Sequence, residues 1–436
     1  MIWSMDANDE LIPASTVKLF TTGFARSVLG SDARRPTRVV GEGWVDSTTG
    51  TWMGDWALEL NGDVTLERGA AAGPSLFDLA SQLRRMGIRR LSGPLEVRSA
   101  SGIADAIWPS VWASRHRGRL FAPLIGPVTL NENVVSFVVR PGERSGQRVR
   151  LSSAEPLGVG SLLRITAKTV AGRRNRLHLS AQSDGSWVLS GTLGARAGSR
   201  TYAMTASKPI AVLHAVWSAA LDRAGIDWQE KGLPSPQRAL GERVLAEVTS
   251  PTLDSVASEV NRRSLNIGAE LLLQWAAGRG PQAPAALVDH IRSIAGADAG
   301  VYLVDGSGLS GEDRVAPSTF IDYLAHFPQT QAGRDFAQLL PANGTGTLRR
   351  LKQGFPDQGV VRAKTGTLKN VATVAGYLGR QEGVLLISLM YNGDKPWVAR
   401  QQQWELFRKL GGDGVIVPSA SDIASEDAQY GGEDVK

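Results

Sequence analysis

The chain has 436 residues, 42% apolar and 21% charged, so it is expected to fold into two or three globular bodies rather than stay disordered. Its 48 Lys and Arg against 42 Asp and Glu give a net charge of +6, but the basic residues are scattered from Arg34 to Arg408 among acidic ones. That dispersion excludes a nucleic-acid-binding stripe and leaves steering of an anionic polymer as the reading of the charge. Cysteine is absent, which excludes disulfides, thiolate metal sites and a cysteine nucleophile; no stretch approaches the ~18 consecutive apolar residues of a membrane span.

In chain order, Ile2–Met5 is expected to form a short strand. Met1–Pro13 carries Asp6, Asp9 and Glu10 and lacks a basic segment followed by an apolar run, so it does not read as a signal peptide. Thr16–Leu29 reads as a helix ended by Gly30. From about Thr37 to Tyr202 the texture is of short alternating runs punctuated by glycine, with strands expected at Trp52–Leu60, Val134–Arg140, Leu162–Val170 and Trp187–Leu193. One helix, Leu76–Met86, interrupts them. After Lys208-Pro209 the pattern is helical again, at Ile210–Ala224, Leu253–Asn261, Gly268–Ala277 and Ala285–Ala295. Val371–Leu378 and Val384–Tyr391 form a hairpin, and Val398–Leu410 is a final amphipathic helix. The polar last 20 or so residues read as a loose tail.

Three short strings carry chemistry. Ser15-Thr16-Val17-Lys18 places an amine three residues after a hydroxyl, on one helical face; a serine needs a base to become a nucleophile, and burial lowers a lysine pKa far enough to supply one. By itself the string equally fits a helix cap followed by a surface lysine. Ser264-Leu265-Asn266 lies between two helical patterns, where a hydroxyl and an amide on a short loop can face a cleft; a capping turn is the plain alternative. Lys364-Thr365-Gly366-Thr367 ends an alternating run that suits an extended peptide laid along a strand edge, its terminal carboxylate near a cation and hydroxyls. An ordinary edge strand with a protective lysine would look the same. In this order the strings read S-x-x-K, S-x-N and K-T-G, the set of serine acyl-transfer enzymes that penicillin acylates.

With the flanking Pro13–Leu19, Ala122-Pro123, Leu130–Asn133, Asp305–Ser310 and Val361–Thr367, the chain resembles the class C low-molecular-mass penicillin-binding proteins, the D-alanyl-D-alanine carboxypeptidase/endopeptidase family, over roughly residues 2 to 410. The long interval between Ser15 and Ser264 is also similar to this family and places β-lactamase second; a non-catalytic cell-wall-binding protein of the same fold is a further alternative. The resemblance implies an α+β penicillin-binding/β-lactamase-like transpeptidase domain with an antiparallel five-stranded sheet flanked by helices and β-rich inserted domains. The expected division is 1–36 with 205–415 as the discontinuous catalytic domain, 37–70 with 120–204 as a β-rich insertion, 71–119 as a second smaller module, and 416–436 as tail. It implies Ser15 as acyl-accepting nucleophile, Lys18 as its base, Ser264 for proton transfer and Asn266 for substrate positioning. Lys364, Thr365, Gly366 and Thr367 would bind substrate, and the amides of Ser15 and Thr367 would form an oxyanion hole. The substrate would be peptidoglycan stem peptides ending in D-Ala-D-Ala, with β-lactam antibiotics as inhibitors, no cofactor, no metal, no nucleic acid and no transmembrane segment. Localisation would be extracytoplasmic, with the export signal absent from this sequence. Val64 stands where relatives often have proline after Gly-Asp.

Gly306–Gly311 satisfies G-x-G-x-x-G, but it does not open a helix, so it is expected as a tight loop bordering the site and not a dinucleotide cradle. The five histidines share no metal-like spacing. Among the tryptophans, Trp44, Trp52, Trp56, Trp108 and Trp112 are expected mainly as core residues.

Overall fold

The computed structural model describes residues 3–69, 73–100, 106–231 and 241–419. The chain divides into two units, one of Met1–Ala33, Ser110–Ala113 and Thr252–Lys436, the other of Arg34–Pro109 and Ser114–Pro251.

In the first unit the Val17–Leu29 helix lies at the centre, with nearly its whole length from Val17 to Ala25 buried. It packs against the helices Leu253–Arg263, Asn266–Ala277 and Gln282–Ala295. Polar residues on the central helix are satisfied within the packing: Asn261 Nδ2 donates to Thr22 Oγ1 at 3.1 Å, and Thr21 Oγ1 donates to the Gly306 carbonyl at 2.6 Å. The sheet of this unit is antiparallel, with strands Val361–Leu368, Val371–Arg380 and Gly383–Asn392 in that order. Two-residue turns join them, and Gly383 at φ 128° takes a conformation that favours glycine. The helix Pro396–Gly411, opened by proline at its first position, covers the middle strand. Trp404 and Phe407 pack there with Val361, Ala363, Val374 and Leu378, and a fully buried Phe407 contributes about 1.5–3 kcal/mol. The helix Pro317–His326 packs against the two later strands, its Leu324 carbonyl accepting from the Tyr377 hydroxyl at 3.1 Å.

Among the described residues this sheet has three strands, not the five expected. The N-terminal strand expected at Ile2–Met5 is absent over its described part; Trp3 and Met5 are exposed. The chain instead meets the third strand through a side chain: Asn392 accepts from the Ile12 amide at 2.9 Å and donates to its carbonyl at 3.2 Å. Leu11 pairs with Val315.

The second unit is predominantly β. Its largest sheet runs through Asp227–Gln229, Arg90–Ser92, Thr51–Glu59, Pro36–Asp46 and Arg243–Thr249, with Val97–Arg98 also on Thr51–Glu59. Two smaller sheets hold Val134–Arg140 and Trp187–Gly194. The expected strand at Leu162–Val170 is two short ones, Leu163–Ile165 and Lys168–Val170, both parallel to Trp187–Gly194. Ser75 and Asp78 cap the Leu76–Arg85 helix reciprocally.

The domain boundary at 205 differs from this division. The helix Pro209–Ala224 and the strand Arg243–Thr249 group with the second unit: Val212, Leu213, Val216 and Trp217 share a core with Trp52, Trp56, Leu79 and Leu83. The expected separate module at 71–119 also differs, because Leu76–Arg85 packs in that core and Arg90–Ser92 and Val97–Arg98 pair with Thr51–Glu59. Most of the expected tail, 420–436, lies outside the described residues.

Candidate active site

Ser15 stands at the entrance of the central helix. A single 3-10 turn, Ala14–Thr16, leads into Val17–Leu29, and Ala14 has φ 49°. A left-handed conformation costs a residue with a Cβ about 1–2 kcal/mol and persists only where surroundings impose it. Here the Pro13 carbonyl accepts from Thr16 Oγ1 and Thr373 Oγ1, each at 2.6 Å, tying the turn to the sheet. Ser15 is partly exposed at the top of this turn while its neighbours Ala14 and Thr16 are buried.

Lys18 follows one turn later with no exposed surface. Its amine donates to Ser15 Oγ at 2.9 Å, to Asn266 Oδ1 at 2.6 Å and to the Ser307 carbonyl at 2.6 Å. Burial lowers its pKa to about 7, against the opposing pull of Asp305, Glu270 and Asp313. At neutral pH the amine therefore interconverts between a three-donor cation and a base with a lone pair available to the Ser15 hydroxyl.

Ser264 ends the Leu253–Arg263 helix in the left-handed conformation, φ 59° and ψ 46°, and Asn266 begins the next helix. This sharp turn separates the pair: Ser264 is partly exposed, whereas Asn266 is buried on Lys18. The fully buried Lys364 donates to Ser264 Oγ at 3.0 Å and to the Thr365 carbonyl at 2.7 Å. Burial moves its pKa well below the ordinary lysine value, and the nearby Lys18 and Arg400 charges push the same way.

The three strings therefore converge. Ser15, Ser264 and Thr367 reach solvent, and Lys18, Asn266, Lys364, Thr365 and Gly366 lie beneath them. Gly366 has a packing role beyond the open space expected for a ligand. A Cβ there would come within 2.5 Å of the Pro13 carbonyl and 2.9 Å of the Ser15 amide, so glycine lets the strand lie against the Ser15 turn. The Ser15 amide is thus brought next to the residue preceding Thr367.

Sequence reasoning missed several contributors. The Gly306–Gly311 stretch is indeed a loop, and its Ser307 carbonyl is an acceptor for Lys18. Gly308, at φ +73°, passes so close to Ala14 that a Cβ would sit 1.9 Å from its carbonyl oxygen. Asp305 shapes the loop by accepting from the amides of Ser307, Gly308 and Ser310 at 3.0, 2.6 and 2.8 Å, and from Trp112 Nε1 at 3.0 Å. Behind Lys18, burial raises the pKa of Glu270 and of Asp313, and the Asp305 charge adds to both shifts. Arg400, on the C-terminal helix, donates to the Gly366 carbonyl at 2.6 Å, the Thr373 carbonyl at 3.0 Å and Thr367 Oγ1 at 3.2 Å. Only the D-G-S-G spelling at Asp305 signals any of these in sequence. Among the described residues, no group of three or more His, Asp or Glu could hold a metal.

The chain is similar to known carboxypeptidases. The chain is 29% identical over 415 residues to a D-alanyl-D-alanine carboxypeptidase of Actinomadura sp. strain R39, covering 90% of this chain and 75% of that one. Penicillin binding protein 4 (dacB) from Haemophilus influenzae has a similar fold, with a TM-score of 0.73 at 22% identity and 93% of each chain covered. A second structure of that protein, complexed with a β-lactam, gives a TM-score of 0.68 at 20% identity with the same coverage. Residues 1–408 match the D-Ala-D-Ala carboxypeptidase 3 (S13) family, and with that match over nearly its full length the chain belongs to this family of serine carboxypeptidases.

Proposed function

We propose that this carboxypeptidase works through a Ser15 acyl-enzyme on peptidoglycan stem peptides ending in D-Ala-D-Ala. Lys18, as the neutral amine, takes the Ser15 proton while Oγ attacks the carbonyl carbon of the penultimate D-Ala. The amides of Ser15 and Thr367 stabilise the oxyanion. Collapse of the tetrahedral adduct breaks the C–N bond, and the proton that Lys18 took from Ser15 passes through the Ser264 hydroxyl, backed by Lys364, to the leaving D-Ala amine, which leaves Lys18 neutral again. Lys18 then takes a proton from the water that attacks the ester carbonyl, and returns it to Ser15 Oγ as the C–O bond breaks. Asn266 holds Lys18 and reaches toward the substrate amide, and Thr365 and Thr367 take the terminal carboxylate over the buried Lys364.

The observation that carries this reading is the 2.9 Å contact between Ser15 Oγ and a fully buried lysine amine whose pKa is about 7. β-Lactams, as mimics of the terminal dipeptide, would acylate the same oxygen; the β-lactam complex of the Haemophilus influenzae protein supports this. That substrate supports an extracytoplasmic location for the enzyme. No helix of the described residues is long and apolar enough to cross a membrane. Intact-mass analysis after penicillin treatment tests the assignment: one penicilloyl adduct, mapped to the peptide containing Ser15 and absent from Ser15→Ala, is expected. An adduct on another serine would overturn it.

A further inference from the structure

The strand Val361–Leu368 presents one side chain of its K-T-G-T string to solvent, Thr367. Its hydroxyl oxygen accepts a hydrogen bond from Arg400 at 3.2 Å. A hydroxyl has one proton and two acceptor sites, and a guanidinium has only donors, so the Thr367 proton must point away from Arg400. Thr367 is thereby preset as a donor to whatever lies along the exposed edge.

Arg400 itself is held where folding gains little from a charge. It is half-buried, bonded to two backbone carbonyls of adjacent strands, Gly366 and Thr373, and stacked at 5.1 Å over Trp404. Among the described residues no carboxylate ion-pairs with it, and burial is the influence that lowers its pKa to about 10. A partly buried cation without a counter-ion costs free energy unless a ligand supplies the opposite charge. The other two amines near the site are already engaged: Lys18 on Ser15, Asn266 and the Ser307 carbonyl, and Lys364 on Ser264 and the Thr365 carbonyl.

We propose that Arg400 is the positioning residue for substrate charge: it orients the Thr367 hydroxyl and provides the permanent positive field that selects peptides ending in a free α-carboxylate over those whose terminus is capped. This rests on the reading of the K-T-G edge as the place of the terminal carboxylate. Arg400 makes no claim on the acyl-transfer step, so its effect belongs in substrate binding. A guanidinium fixed on two carbonyls acts through Thr367 without itself moving.

The test uses the full chain and two peptides ending in D-Ala-D-Ala, identical except that one has a free C-terminal carboxylate and the other a C-terminal amide. Wild type should prefer the carboxylate peptide by at least tenfold in kcat/KM. Arg400→Gln should raise KM for the carboxylate peptide about tenfold or more with kcat within about threefold, and should change amide-peptide cleavage less than threefold. Arg400→Lys should recover most of the preference. Thr367→Ala combined with Arg400→Gln should lose little more than the worse single variant. Equal loss on both peptides, a loss confined to kcat, or strict additivity of the two substitutions would overturn the proposal. If Arg400→Gln does not fold, Arg400→Lys and Thr367→Ala on the same peptide pair decide it: unchanged preference in both overturns it. Absence of cleavage of either peptide and of a penicilloyl adduct in wild type would instead defeat the reading of the site as a whole.

Discussion

Lys364 and Ser264 meet at 3.0 Å although 100 positions separate them in the chain, and the serine that meets the amine sits in a left-handed backbone. Ser264→Ala and Ser264→Gly both delete the hydroxyl, but glycine also relieves the conformation at φ 59°. The glycine variant should be more stable than the alanine variant by about 1 kcal/mol, while both lose acylation by roughly 10²-fold or more. Thermal unfolding and penicillin acylation rates on the two proteins check this. Equal stability would mean that the turn stores no strain.

The base assignment has a pH signature. With the Lys18 pKa at about 7, the acylation rate should rise tenfold per pH unit below that value and level off above it. A rate constant from pH 5.5 to 8.5 would exclude Lys18 as the base. Lys18→Met should abolish the dependence together with the activity.

The same shift enters stability with a definite sign. The folded state holds Lys18 neutral above about 7, whereas an unfolded lysine stays protonated to 10.5. Unfolding therefore takes up a proton within that window, so stability rises as pH increases from about 7 to 10.5 and carries the full penalty below it. The penalty is roughly 5 kcal/mol for a shift of this size. Urea unfolding of wild type and Lys18→Met across pH 7 to 10 should show the extra positive slope only in wild type. Parallel curves would refute the buried-amine shift.

How much of this could be read from the sequence follows from how local each signal is. Ser15 and Lys18 share a helical turn, so their contact is encoded within four residues. Lys364 to Thr367 likewise sit on one predicted strand. Their convergence was inferable only from the order of the three strings, since spacing along the chain says nothing of distance across it. The Ser307 carbonyl was invisible because every residue carries one. Arg400 looked like any arginine of an amphipathic helix, since two of its three hydrogen-bond acceptors are backbone oxygens and the third, Thr367, lies 33 positions away. The helix Pro209–Ala224 shows the same limit for the fold. Its apolar face was evident, but periodicity identifies a face that is buried without identifying what buries it, and Trp52 and Leu79 do so in the second unit. The strand expected at Ile2–Met5 is not formed over its described part for another reason: the chain meets the third strand only at Ile12, through the Asn392 side chain, and Trp3 and Met5 stay exposed.

Gly366 should tolerate no side chain. Its Cβ would overlap Thr373 Oγ1 at 2.2 Å and the Pro13 carbonyl at 2.5 Å, and the second is backbone that moves only by displacing the Ser15 turn. Gly366→Ala is expected to cost more than about 2 kcal/mol and to reduce acylation by a larger factor than Thr365→Ala, which leaves the turn in place. Wild-type acylation in Gly366→Ala would show that the strand and the turn are not in close contact.

Asn343 holds the start of the same strand from below. It is 3% exposed; its Oδ1 accepts from the amides of Gly359 at 2.8 Å and Val361 at 3.1 Å, and its Nδ2 donates to the Asp357 carbonyl at 2.9 Å. Truncation would strand two buried amides, each costing about 1–3 kcal/mol when unpaired. Asn343→Ala should therefore lose about 2–4 kcal/mol of stability. Asn343→Asp keeps an acceptor for both amides and gives up only the donor to Asp357, so its loss should be smaller at neutral pH. Lys364 lies three residues beyond Val361, and the strand between them is held by its pairing with Val371–Arg380. Acylation by the folded fraction should thus stay within about threefold of wild type in both variants. Denaturant midpoints combined with acylation rates measured well below unfolding separate the two effects, and an Asn343→Ala protein as stable as wild type would show that water replaces the amide at no cost.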